Sequence, residues 1–68
     1  MNEDNLNMEI RRFLKKVGIT SQREIEKEVY NAEKNGNLKI GDKIDLEMTL
    51  SIKNFNSKKS IIGKILIN

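Results

Sequence analysis

The segment Ile61–Ile67, IIGKILI, places apolar side chains on both sides of a single strand. At a period of two, Ile61, Gly63, Ile65 and Ile67 make one face, while Ile62, Lys64 and Leu66 make the other. A hairpin covered on only one side cannot satisfy both faces. The second face therefore needs a cover. In a chain of 68 residues the natural cover is another copy. Ile62 and Leu66 are thus a candidate association face. The competing reading is that Leu38, Ile40 or Ile44 of the same chain folds over them.

Size makes that need sharper. A single small domain buries only about 60% of the surface its unfolded chain exposes, so disulfides, a metal or a partner chain usually supplement it. The sequence has no cysteine, which excludes disulfides and thiolate metal sites. It has no histidine, the commonest general base and transition-metal ligand. Association remains as the expected aid. The net charge is +3, and it is unevenly spread: +1 over residues 1–20, −1 over 21–36 and +3 over 37–68. The basic excess sits in the strand half.

Asp4 or Asn5 can cap a first helix over 5–17, with Glu3, Asp4 and Glu9 suited to its positive end. Leu6, Ile10, Phe13, Leu14 and Val17 share one face. Gly18 follows as a left-handed cap. Ser21 and Glu24 then form a capping-box pattern for a second helix over 21–35, whose apolar stripe is Ile25, Val29 and Ala32. Asn35-Gly36 ends it. Strands are expected over 46–53, where Leu46, Met48, Leu50 and Ile52 alternate with polar residues, and over 61–67. Asn54–Ser60 reads as a polar loop holding Lys58 and Lys59, and 38–40 as a candidate third strand. The expected fold is α+β in a single domain, 1–68. Two N-terminal helices pack on a small C-terminal antiparallel sheet in the order ααββ, or ααβββ with the extra strand.

The opening MNED and the block KKVGITSQREIEK at Lys15–Lys27 resemble a family of short bacterial proteins classed only as a domain of unknown function. The resemblance runs end to end, including MTLSI at Met48–Ile52 and Gly63. It implies a complete natural protein, and no activity, substrate or site residue.

A second candidate surface is the stripe Arg23, Lys27, Tyr30 and Lys34 on the second helix, at spacings of four, three and four. Cations bind phosphates, and an exposed tyrosine can stack on a base. Two helices joined through Gly18 echo a helix-turn-helix, with Lys53, Lys58 and Lys59 of the hairpin touching backbone like a wing. Against this, every amphipathic helix has a charged outer face, Glu26 and Glu33 border the stripe, and no third helix braces the pair.

Other chemistry is thinner. Asp42, Asp45 and Glu47 lie within six residues, but the calcium-loop pattern is absent and Lys39, Lys43 and Lys53 are near. Met8 falls among Arg11, Arg12 and Lys15, as a contact point or as one stray apolar residue on a surface. The serines and threonines have no histidine to activate them, and the four glycines are isolated, so no phosphate loop exists. The start MNEDNLNMEI lacks the features of a signal peptide, and no apolar run is long enough to span a bilayer. The sequence thus reads as a non-enzymatic cytoplasmic interaction module without metal, cofactor or membrane. It is expected to form a homodimer or to dock on another protein. The alternative is a nucleic-acid-binding regulator using Arg23, Lys27, Tyr30, Lys34, Lys58 and Lys59.

Overall fold

The computed structural model describes all residues, 1–68. The chain divides into two compact units, Met1–Asn37 and Leu38–Asn68.

The first unit is one helix, α1, Glu3–Lys34. This overturns the expectation of two helices over 5–17 and 21–35, and with it the pair packed on a sheet. The cause lies at Gly18. Glycine inside a helix costs about 1 kcal/mol relative to alanine but does not end it; a glycine cap takes a left-handed conformation, and Gly18 is helical. Leu14, Val17, Ser21 and Ile25 step through it at three or four residues, so the apolar stripe never loses phase. With the preceding turn present, the amides after Ser21 have intrahelical partners, and the Ser21–Glu24 pattern has no free donors to cap.

The true ends are chemically clear. Asn2, not Asp4 or Asn5, is the N-cap: its side-chain oxygen accepts from the Asn5 N–H at 3.0 Å. Glu3 and Asp4 fill the first turn, where the helix dipole favours negative charge. At the other end, the Asn37 N–H donates to Ala32 O at 2.9 Å and the Gly36 N–H to Glu33 O at 3.1 Å. Gly36 has φ 72, so this is a Schellman closure with glycine at the left-handed position. The expected Asn35-Gly36 stop is where the helix ends.

The second unit is an antiparallel hairpin of β1, Lys43–Ile52, and β2, Ser57–Leu66. The strands are longer than the expected 46–53 and 61–67, and the loop shrinks to a 3-10 turn, Lys53–Phe55, plus Asn56. Asn56 takes the left-handed conformation at φ 57, which asparagine tolerates better than most residues. Lys58 and Lys59 therefore belong to a strand, not to a loop. Leu38–Ile40 is not a third strand. Lys39 and Asp42 close a turn instead, the Asp42 carboxylate accepting from the Lys39 N–H at 2.9 Å and the Asp42 N–H donating to Lys39 O at 3.0 Å. Backbone bonds from Gly41 N to Ile67 O and from Ile67 N to Asp42 O continue the pairing beyond β1.

No side chain in the chain is buried. A lone helix and a two-stranded hairpin each lack an interior, whatever their sequence.

Candidate interaction surfaces

Register decides what each hairpin face carries. Direct partners in an antiparallel pair share a face. Ile44 lies opposite Ile65, Leu46 opposite Gly63 and Met48 opposite Ile61. Together with Leu50 and Ile52 these form one apolar face, on which Ile44, Leu46 and Ile65 are half-buried while Met48, Leu50 and Ile52 are about 40% exposed. Lys59 joins this face opposite Leu50.

The other face pairs Lys43 with Leu66, Asp45 with Lys64, Glu47 with Ile62, Thr49 with Ser60 and Ser51 with Lys58. Ile62 and Leu66 are exposed there, at 80% and 56%. They stand among charges, and the Lys64 ammonium lies 3.8 Å from Asp45. Asp45, Glu47, Ile62 and Lys64 line an open depression. Lys58 and Lys59 fall on opposite faces, so the hairpin does not present them as one basic patch.

On α1, Arg23, Lys27, Tyr30 and Lys34 share the side opposite the apolar stripe, as their spacing implied. The continuous helix adds what a break at Gly18 had hidden. Arg12 and Lys16 fall in the same row, with Ile19 filling the step before Arg23. The row runs for about 33 Å at 1.5 Å per residue. Its cations are lightly paired: Arg12 meets Glu9 at 3.0 Å, and Lys27 meets Glu24 at 3.9 Å, all on exposed side chains. Exposed pairs of this kind contribute little. Met8 lies outside this row and is exposed. The helix-turn-helix reading goes with the second helix it required.

The apolar stripe of α1 runs Leu6, Ile10, Phe13, Leu14, Val17, Ile25, Val29 and Ala32, with Ser21 bridging its halves. Leu6, Ile10, Phe13 and Leu14 are exposed; Val17, Ile25, Val29 and Ala32 are half-buried. Its full length was legible in the spacing, had the chain been read through the glycine.

The three carboxylates near the turn are dispersed. Asp42 holds the Lys39 N–H, Asp45 faces Lys64, and Glu47 faces Ile62. No helix is long and apolar enough to cross a membrane.

A family model described as "Family of unknown function (DUF6494)" matches residues 1–68. Comparison with curated proteins and with solved structures finds no match.

Proposed function

The chain belongs to the DUF6494 family, and we propose that it acts as a non-enzymatic interaction module whose apolar faces are covered by association between chains. One observation carries this reading: both units present an apolar face, and no side chain is buried. Each large aliphatic or aromatic side chain fully removed from water contributes about 1.5–3 kcal/mol, and a single hairpin or helix is marginal without that contribution. The larger bare surfaces are the α1 stripe and the Ile44–Ile65 side of the hairpin. Ile62 and Leu66 stand on the charged side of the hairpin, outside both of these surfaces. Light scattering on the intact chain tests it. A dimer or higher oligomer is expected; a monodisperse, stably folded monomer would sink it.

The row of cations on α1 supports a second reading, a polyanion-binding face for nucleic acid, because the continuous helix extends Arg23, Lys27, Tyr30 and Lys34 by Arg12 and Lys16. Such binding weakens steeply with salt. Retention on immobilised DNA at low salt that falls with added salt, and falls again in Lys16→Glu/Lys27→Glu, is expected on this reading. Flow-through at low salt would end it.

A further inference from the structure

The charges of α1 are not symmetric along the helix. Positions 10–17 carry Arg11, Arg12, Lys15 and Lys16 and no carboxylate. Positions 24–33 carry Glu24, Glu26, Glu28 and Glu33 against one cation, Lys27. Of the four cations in the first block, only Arg12 has an ion-pair partner in its own chain, and of the four glutamates in the second only Glu24 does.

We propose that α1 pairs with α1 of a second copy, antiparallel, about a two-fold axis near Ile19–Thr20. This rests on the self-association proposed above and names its geometry. In a two-fold dimer the same surface must complement itself. Overlaid parallel, two copies set Arg11 and Lys15 level with the same cations, and Glu24 and Glu28 level with the same glutamates. Overlaid antiparallel, Arg11 falls level with Glu28 of the other copy and Lys15 with Glu24, twice over by symmetry, while Arg12 and Lys16 belong to the outer row and take no part. Like-charge juxtaposition disfavours the first arrangement and opposite charge favours the second.

The apolar side chains agree with that choice. An antiparallel overlay centred there sets Ile10 against Val29 and Leu14 against Ile25, again twice by symmetry. It sets Gly18 against Ser21 near the middle, where both side chains are small. A Cβ built on Gly18 meets nothing within 4 Å of its own chain, so that part of the helix surface stands open to another helix. Heterologous stacking into fibres is not required, because the two-fold arrangement closes on itself.

The test uses the absence of native cysteine. Asn7 and Ala32 both lie on the stripe side of α1 and become neighbours only across an antiparallel pair. Full-length Asn7→Cys and Ala32→Cys chains, distinguishable by mass, are mixed, equilibrated and oxidised. The expected product is the mixed cross-link joining one variant to the other. Predominant Asn7→Cys homodimers and Ala32→Cys homodimers would mean parallel helices and would overturn the orientation while leaving association intact. A dimer by light scattering that forms no cross-link in either combination would place the interface elsewhere than α1 and also overturn it. A chain that is monomeric by light scattering overturns both this geometry and the association beneath it. As a check on the electrostatic argument, Glu24→Lys/Glu28→Lys is expected to weaken association at low salt. Adding Arg11→Glu/Lys15→Glu to the same chain is expected to restore it; no restoration would count against the charge pairing.

Discussion

Glu47 and Ile62 are direct cross-strand partners. The strand with apolar residues on both sides therefore does not present two equivalent faces. Ile62 projects beside a carboxylate and near Lys64, whereas Ile65, three positions on, faces Ile44. A lysine at position 62 would gain Glu47 as a neighbour and lose little buried surface. Ile62→Lys is therefore expected to change stability by less than about 0.5 kcal/mol and to leave the solution mass unchanged. Ile65→Lys, on the apolar face, is expected to lower the melting temperature clearly and to reduce association. Thermal melts followed by circular dichroism, with light scattering on the same samples, compare the two.

Gly18 gives the sharpest test of the single helix. In a left-handed turn between two helices, alanine would be strained and the protein less stable. Within a continuous helix, alanine removes glycine's backbone entropy penalty, and its Cβ meets nothing of its own chain. Gly18→Ala is expected to stabilise by about 0.5–1 kcal/mol and to keep or raise helical content. A loss of helicity and a lower melting point would support a break at this position.

The comparison of sequence with structure turns on such residues. The helix stop at Asn35-Gly36 was legible because a left-handed glycine there satisfies orphan carbonyls through the Asn37 and Gly36 amides. The same residue type at Gly18 gave a false stop, since a glycine alone does not say whether its φ is positive. The strand core, Leu46 to Ile52, was legible from strict alternation. Its extension to Lys43, and the start of β2 at Ser57, were not, because polar residues at a strand's solvated end carry no periodic signal. Among the candidate surfaces, the Arg23–Lys27–Tyr30–Lys34 row was visible from spacing. Its continuation through Lys16 and Arg12 was hidden by the presumed break.

Asn56 carries the hairpin's tight connection at φ 57. A β-branched side chain is disfavoured in that conformation, and glycine adopts it freely. Asn56→Val is expected to cost roughly 1–2 kcal/mol and to broaden the hairpin amide resonances. Asn56→Gly is expected to be close to neutral. Equal stability of the two variants, measured by denaturant titration, would show that the loop does not hold this geometry.

Asp42 organises the entry to β1. Its carboxylate accepts from the Lys39 N–H, and its backbone oxygen accepts from Ile67 N at 2.9 Å. Only the first bond is lost in Asp42→Ala. A net loss of about 0.5–1.5 kcal/mol is expected for an intramolecular hydrogen bond, reduced because this side chain is partly solvated. Hydrogen exchange should quicken at the Lys39 amide and stay unchanged at Ile67. Faster exchange at both would mean that the side chain, not the backbone, anchors the pairing.

If the missing interior is assembled between chains, folding and association are one equilibrium. The unfolded chain is monomeric, so mass action favours it on dilution, and the melting temperature must rise with protein concentration. A two-state domain that folds alone shows no such dependence. A series of melts on the unmodified protein over a wide dilution range is expected to shift steadily upward with concentration. Glu24→Lys/Glu28→Lys should melt lower than the unmodified chain at each concentration in low salt, with the difference shrinking as salt screens the flanking charges. A melting temperature that stays constant across the range would show that each chain completes its own fold.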